Sequence, residues 1–307
     1  MSRWRQPPAS KITIPPQLRQ TSACTGQRSA DGAARLRGSC GAGSTRPRQP
    51  PPVVASAAAW NTPARLVLPF DTIAEADHLS GALRALAPVP VDPSPVIRTA
   101  LPFYGARIGG MEVLARAWHR EHPAAPVAEV LAVTDALWDR AVREEMVLAA
   151  MLVERCREAR EAWGLRRLDR WGALLDNWET TDNLGGRVLG PWVSADPDRR
   201  LATLGTLARR RNPWLRRLAL VGCVYLGRHS DAAVWWPRVA SIVLALARDR
   251  EAAIPKAISW VLRSFVGRCP REVGIFLAEH QAELPAIAVR EARHKLATGH
   301  KTGKPRR

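Results

Sequence analysis

The chain has 307 residues, with 46 Lys and Arg against 28 Asp and Glu, a formal net charge of +18 and a pI near 11.2. This excess of positive charge indicates a polyanionic partner, either nucleic acid or an anionic membrane face. No stretch approaches about 18 consecutive apolar residues, which excludes a transmembrane helix and predicts a soluble protein. The five Cys are scattered, with neither a disulfide framework nor zinc spacing, so we expect a reducing, cytoplasmic compartment.

Residues 1–69 differ in texture from the rest of the chain. The first 52 positions are rich in Pro and Arg, contain Asp31 as their one acid, and show little apolar periodicity. Such a segment cannot bury enough surface to offset its ordering entropy, so we expect 1–69 to be disordered. Three interpretations of it stay open: a basic arm that tethers DNA, an Arg-rich targeting presequence, or translation from a start codon placed too far upstream.

From about residue 70 apolar residues recur at helical spacing, and no run alternates apolar with polar residues. We therefore expect one all-α domain over 70–297, followed by a basic, disordered tail over 298–307. The predicted helical segments, in chain order, are Ile73–Leu86, Met111–Trp118, Val127–Trp138, Met146–Val153, Leu201–Leu207, Leu215–Leu226, Val239–Ala247, Ile254–Val266, Val273–Ala278 and Ala286–Leu296.

Helix-starting signals stand in the short connections between several of these segments. Each places a capping residue or a Pro at a first helical turn. Short loops make successive helices antiparallel neighbours, as in bundles and α-solenoids. The signals are Asp196-Pro197-Asp198, Asn212-Pro213, the stretch from Asp249 to Pro255, and Cys269-Pro270-Arg271-Glu272.

Four of the 12 Trp, at positions 138, 178, 214 and 260, are spaced by 40, 36 and 46 residues, the period of HEAT-like helical units. Chance is the alternative, but three of the four have charged residues one helical turn away, on the same face. Asp182 follows Trp178, Arg217 follows Trp214, and Lys256 and Arg263 flank Trp260.

Equivalent faces of successive solenoid repeats line up along one concave surface. Indoles offer flat faces for sugars or bases, and Arg offers a fork for phosphate, so this pattern favours a binding track. Structural alternatives are a core position for each Trp, a solvated face for each Arg, and helix capping from Asn183 onward for Asp182.

Three segments carry a family resemblance: Asn177-Trp178-Glu179-Thr180-Thr181-Asp182, Asn212-Pro213-Trp214-Leu215-Arg216-Arg217 and Lys256-Ala257-Ile258-Ser259-Trp260-Val261-Leu262-Arg263. In this order they resemble the DNA alkylation repair enzymes of the AlkD family, HEAT-like-repeat DNA glycosylases. The resemblance covers about 70–297 and extends to Phe103-Tyr104-Gly105, Glu144-Glu145 and Arg290-Glu291-Ala292. Glu179 and Ser259 depart from the family pattern, which usually has Asp at the first position and often Gly at the second.

The resemblance implies a base excision repair enzyme that removes cationic N3- and N7-alkylpurines from duplex DNA, with no metal and no cofactor. It implies that Asp182 is the catalytic carboxylate, that Trp178 and Trp260 hold the deoxyribose, and that Arg217 contacts the DNA backbone. Lys256 is interpreted as a phosphate contact rather than a Schiff-base nucleophile, which predicts a monofunctional glycosylase. Further expected DNA contacts are Arg263, Trp214, Arg216 and Tyr104.

An alternative from another class is a non-catalytic HEAT-like protein that binds distorted or branched DNA. A protein-binding scaffold would lack the clustered Arg and Trp. The presence of Trp178, Asp182 and Trp260 together favours the enzyme, and we expect a bacterial, nucleoid-associated monomer.

Overall fold

The computed structural model describes residues 71–87 and 96–301. The segment 1–69, which the sequence predicts to be disordered, lies outside these residues, and so does the end of the tail from 302 onward. Within the described ranges the chain forms helices, turns and loops, and no strand. The predicted all-α fold class is confirmed.

The helices are labelled in chain order. They are α1 Thr72–Ala85, α2 Ile108–Glu121, α3 Val127–Asp139, α4 Arg143–Arg155, α5 Arg157–Ala162, α6 Gly164–Ala173, α7 Trp178–Leu184, a π-helix Gly185–Leu189, α8 Gly190–Ala195, α9 Pro197–Leu207, α10 Pro213–Leu226, α11 Ala232–Ala245, α12 Ile254–Val266, α13 Pro270–His280 and α14 Ala286–Thr298.

These helices pack in two rows, which is the architecture of an α-solenoid. In the first, which we call the site row, each of α2, α4, α7, α10, α12 and α14 packs against the next. In the second, the back row, α1, α3, α5, α8, α9, α11 and α13 follow one another in the same way. Contacts between the rows, such as those of α3 with α4 and of α10 with α9 and α11, enclose the core.

The predicted helix starts agree with the structure. α9 begins at Pro197 and α13 at Pro270, each with the Pro in the first turn, where a missing N–H costs nothing. Asn212 caps α10, because its side-chain oxygen accepts a hydrogen bond from the Trp214 N–H at 2.9 Å.

Residues 157–195 form several short helices, although the apolar pattern predicted none there and only the spacing of Trp178 and Asp182 assumed one. They fold into α5 to α8 and the π-helix, of which the longest, α6, has 10 residues. The other four have five to seven residues and complete too few turns to display an apolar period, so periodicity misses them; it also missed α6.

Four Trp side chains fill the core beside these short helices. Trp138 stacks on Trp171 with ring centroids 4.2 Å apart, and Trp163 lies edge-on to Trp171 at 5.6 Å and to Trp192 at 6.5 Å. The Trp138 indole N–H donates to the Trp171 carbonyl at 3.1 Å. Trp138, the first member of the predicted repeat, is therefore a core residue at the end of a back-row helix and not part of a binding track.

No helix in the two described ranges combines the length and the apolar character that a membrane span requires.

Candidate active site on helices α7, α10 and α12

Helix α7 begins at a buried cap. The Asn177 side-chain oxygen accepts hydrogen bonds from the N–H groups of Glu179 and Thr180, each at 3.0 Å. Trp178 is thus the first helical residue, and Asp182 lies one turn further along the same helix. The alternative of Asp182 as a helix cap is wrong, because Asp182 lies inside α7 and Asn177 supplies the cap.

Asp182 forms a two-point ion pair with Arg217 of the neighbouring helix α10. Arg217 Nε donates to Asp182 Oδ1 at 2.8 Å, and Nη2 donates to Oδ2 at 2.7 Å. The remaining terminal nitrogen of Arg217 donates to the carbonyl of Ala253, just before α12. Since a planar guanidinium fits both carboxylate oxygens at once, Arg217 fixes the orientation of the carboxyl group.

The Asp182 carboxyl is largely withdrawn from solvent, with a side chain 16% exposed. Burial raises the pKa of Asp182 above its ordinary value, while the hydrogen bonds and charge of Arg217 act in the lowering direction. A carboxylate in this environment is poorly hydrated, so it interacts strongly with any positive charge brought beside it.

Glycines let the π-helix and α8, which continue the chain after α7, approach α10 closely. A Cβ added to Gly185 would lie 2.6 Å from Val221 Cγ1, and one added to Gly190 would lie 2.5 Å from Tyr225 Cβ. Both distances are shorter than van der Waals contact, so any larger residue would push the helices apart. The approach that these glycines allow sets Asp182 beside Arg217.

A cleft of about 360 Å³ opens beside the carboxylate. Asp182 and Trp260 both line it, although they are 78 positions apart in the chain and lie on α7 and α12. Its other lining residues are Glu154, Asn183, Gly186, Arg187, Val221, Val224, Tyr225 and Arg228. The structure therefore brings together two of the three predicted catalytic residues at one cleft.

Trp178, the third of them, does not line this cleft in the described residues. Its side chain is 37% exposed, and its indole N–H donates to the carbonyl of Val96 at 3.1 Å. This bond ties the loop before α2 to the start of α7. Trp178 thus keeps part of its surface open to solvent, one helical turn from Asp182.

The two predicted DNA contacts at the start of α10, Trp214 and Arg216, are both engaged inside the protein, one by packing and the other by hydrogen bonds. Trp214 is partly buried against the core. Arg216 donates to both carboxylate oxygens of Asp249, at 2.6 and 3.3 Å, and to the carbonyls of Arg210 and Arg211. These bonds connect the loop that follows α9 to the loop that precedes α12.

The two cations near Trp260 differ in whether an acid of the protein pairs with them. Lys256 is exposed on the first turns of α12, and no acid among the described residues pairs with it. Arg263 lies 3.2 Å from Glu291 of α14 and donates to the Ser259 hydroxyl at 3.1 Å. Ser259 in turn donates to Glu291 at 2.6 Å, so the departure from the family's Gly adds a link between α12 and α14.

Tyr104 is held at the other end of the described domain. Its hydroxyl donates to Glu145 at 2.5 Å and accepts from Arg84 at 3.0 Å. Burial and the Glu145 carboxylate raise the pKa of Tyr104 to about 12. Gly105, with φ of 92°, follows it in a conformation that favours glycine.

A family model described as DNA alkylation repair enzyme matches residues 95–296. The match spans two thirds of the chain and includes every candidate site residue from Tyr104 to Arg263. The chain belongs to this family. No curated protein matches the sequence at a significant level.

Membership of the DNA alkylation repair family indicates that the substrate is DNA and that the role is repair.

The cleft is also lined by charged residues that the sequence motifs did not single out. Arg187, in the π-helix, forms ion pairs with Glu154 and Glu112 and donates to the Asn183 side chain at 2.8 Å. It thereby joins α2, α4 and α7 along one wall. The only sequence signal is the Gly185-Gly186-Arg187 run, whose glycines do not predict a helix.

A second group of buried charges lies behind Asp182. Arg143 forms ion pairs with Glu144 at 2.6 Å and with Glu179 at 2.5 Å. Glu144 also accepts from the backbone N–H groups of Tyr104 and Gly105, at 3.0 and 2.8 Å. Burial raises the pKa of Glu179, against the lowering effect of Arg143. Glu179, longer than the family's usual Asp, therefore serves to hold α7 on α4.

Among the described residues, no three His, Cys, Asp or Glu side chains are grouped so as to hold a metal ion.

Proposed function

We propose that this protein is a monofunctional DNA glycosylase that excises cationic N3- and N7-alkylated purines from duplex DNA. The observation that carries the proposal is the Asp182 carboxylate, held at two points by Arg217 on the wall of a cleft that Trp260 also lines. An oriented, poorly hydrated carboxylate beside an aromatic face suits a reaction that creates positive charge on a sugar.

The reaction needs no acid to activate its leaving group. An alkylpurine of this class carries a positive charge, so breaking the C1′–N bond sends the bonding electrons to the base and leaves it neutral. The deoxyribose becomes oxocarbenium-like, and a water oxygen then bonds to C1′. The water proton is released, and an abasic site remains.

Asp182 would act on the sugar and on the water. Its negative charge stabilises the oxocarbenium-like deoxyribose, and the carboxylate can orient the incoming water and accept its proton. Arg217 is best described as a positioning residue, because three of its N–H groups are engaged with Asp182 and the Ala253 carbonyl. A contact of Arg217 with the DNA backbone, which the resemblance implies, can involve only its remaining donors.

The indoles would contribute as the charge develops. A cation over an aromatic face gains about 0.5–2 kcal/mol, so Trp260 favours the transition state over the neutral sugar of the ground state. Trp178 is expected to face the same deoxyribose from the start of α7. Lys256, Trp214 and Tyr104 are expected to contact DNA outside the reacting centre.

The test is release of 7-methylguanine from duplex DNA, followed by chromatography of the free base. We expect release by the wild-type protein and a loss of about 100-fold or more for Asp182→Asn, with duplex affinity kept. We also expect the product strand to stay intact until it is heated with alkali. Cleavage without alkali would contradict a monofunctional enzyme.

The chain offers a matched control for Asp182. Asp249 also forms a two-point ion pair, with Arg216, and its side chain is 10% exposed, but it does not line the cleft. Asp249→Asn should leave base release near the wild-type rate. If neither wild type nor any variant releases base while the protein binds branched DNA tightly, the non-catalytic alternative is correct.

A further inference from the structure

The residues that the motifs nominated for phosphate contact are largely engaged inside the protein. Arg216, Arg217 and Arg263 each form an ion pair with a buried or half-buried acid. Arg216 and Arg217 each donate to both oxygens of their carboxylate and so have few donors left for a phosphate, whereas Arg263 is held by Glu291 through Nε. Lys256 is unpaired among the described residues but does not line the cleft, so a backbone contact at the cleft itself needs another cation.

Arg228 is one such cation. It follows the end of α10, is exposed, and lines the same cleft as Asp182 and Trp260. No acid in the described part of the chain pairs with its side chain, whereas the other Arg of that cleft, Arg187, is paired with two.

Two further cations lie in the last turns of α12 and α14. The end of α10 beside Arg228 packs on the end of α12, since a Cβ added to Gly227 would lie 2.5 Å from Ser264 Oγ. Arg263 is one turn beyond Trp260 on α12, and Glu291 of α14 holds it at 3.2 Å. Lys295 is one turn beyond Glu291 on the same helix, and α14 packs on α12, which packs on α10. Burial lowers the pKa of Lys295, and the charges of Arg263 and Arg228 lower it further.

This group, which we call the basic cluster, consists of Arg228, Arg263 and Lys295. Glu291 is the acid that offsets it, so the local balance is positive. Three cations that repel one another at the ends of three packed helices gain most from a shared anion with several acceptor oxygens. A phosphodiester group provides such an anion, and the family's substrate carries one at every nucleotide.

We propose that the basic cluster binds a phosphate of the DNA strand that enters the cleft, with Arg228 and Lys295 as the ligands and Arg263, held by Glu291, as their support. The proposal deepens the proposed function, because it adds a backbone contact to the same cleft. It does not depend on catalysis, since the contact is to undamaged backbone.

The experiment measures the affinity of the full chain for an undamaged duplex over a series of KCl concentrations. We compare wild type with the double variant Arg228→Gln/Lys295→Gln. Removing one phosphate contact should reduce the slope of log affinity against log salt by about 0.9, so we expect a reduction of about that size for the double variant, and weaker affinity at low salt.

The control removes two charges from the back row. Arg209 and Arg271 are exposed there, and no acid in the described ranges pairs with them, so Arg209→Gln/Arg271→Gln changes the net charge equally. Equal effects of the two double variants would overturn the proposal, because they would show a non-specific charge effect. An unchanged salt slope in Arg228→Gln/Lys295→Gln would overturn it as well.

Two readouts separate this proposal from the proposed function. Thermal unfolding of Arg228→Gln/Lys295→Gln checks that the fold is intact, and single-turnover base release at saturating protein checks the chemistry. We expect an intact fold and weakened binding in this variant, and normal base release in the back-row control Arg209→Gln/Arg271→Gln. Failure of the glycosylase proposal would appear as no release in any protein, whereas failure of the basic cluster would appear only in the salt series.

Discussion

The same residue type serves opposite purposes on the two sides of the solenoid. On the back-row side, Trp138 and Trp171 are fully buried, stacked on each other, and their indole N–H groups bond to protein acceptors. In the site row, Trp178 and Trp260 keep part of their surface open to solvent beside Asp182. Regular spacing along the chain did not separate the two groups. What separates them is exposure, because Trp138 and Trp171 have no solvent-accessible surface, whereas Trp178 and Trp260 keep some.

The largest expected effect is the loss of stability when a fully buried indole is removed. Trp171→Ala should lower the free energy of unfolding by about 3–5 kcal/mol, because it removes a fully buried indole and leaves a cavity between Trp138 and Trp163. Trp260→Ala should cost about 1 kcal/mol or less, since its side chain is partly exposed, but should reduce base release severely.

Urea unfolding and the base-release assay measure both variants. A Trp260→Ala protein as unstable as Trp171→Ala would make Trp260 another core residue and remove it from the proposed mechanism.

The second effect concerns the buried ion pair. Arg217→Ala should destabilise the protein by about 3 kcal/mol, because it leaves the Asp182 carboxylate in a poorly hydrated site without its partner. Adding Asp182→Asn to it should recover part of the loss, since a neutral amide is less costly to bury. The four proteins of this double-mutant cycle are compared by urea unfolding; strict additivity would contradict the pair.

Many of the helices could be predicted from the sequence because they are long enough to show an apolar period. Helices such as α10 and α12 run for 14 and 13 residues, enough turns to display an apolar stripe, and Asn or Pro marks their starts. The helices α5, α7 and α8 were missed because they have only six or seven residues, and α7 is the helix that carries Asp182.

The sequence nominated residues of the candidate site but not the ion pairs that they form. Motif spacing nominated Asp182, Arg217 and Trp260, yet only packing shows that Arg217 is bonded to Asp182 and Arg263 to Glu291. Pairing between residues far apart in the chain depends on helix register, which apolar periodicity leaves open. No sequence motif pointed to the exposed Arg228.

A third effect, specific to the site row, is the pH dependence of base release that follows from the pKa of Asp182. Burial raises this pKa, so the carboxylate loses its charge at a higher pH than the ordinary value of about 3.9. Base release should therefore fall on the acid side at a pH above that value. Arg217→Gln removes a group that lowers the pKa, so the fall should move to higher pH.

Base release by wild type and Arg217→Gln from acid to neutral pH, corrected for spontaneous depurination, measures the shift. The raised pKa also means that the folded state binds this proton more tightly than the unfolded chain does. The contribution of Asp182 to stability is thus largest at acid pH and is lost as the pH rises through its folded pKa. A fall that moves to lower pH in Arg217→Gln would contradict this assignment.

The smallest expected effect tests whether Trp178 is a structural residue of the site row. Trp178→Phe keeps an aromatic face beside Asp182 but removes the N–H that donates to the Val96 carbonyl, a bond worth about 0.5–1.5 kcal/mol. Global stability should fall by no more than this amount, because Asp176 still holds the same loop through Thr99 and the Ala100 N–H. Hydrogen exchange of the amides around residues 96–100 should become faster.

The matched control is Trp260→Phe, because the Trp260 indole N–H has no partner among the described residues, and this change should leave exchange in the loop at the wild-type rate. Both variants keep an aromatic ring, so a difference between them reports the hydrogen bond rather than the ring. Faster exchange confined to residues 96–100 would show that Trp178 fastens this loop to α7 while its open face stays available to a sugar. A fall in stability for Trp178→Phe as large as that of Trp171→Ala would instead place Trp178 with the back-row indoles.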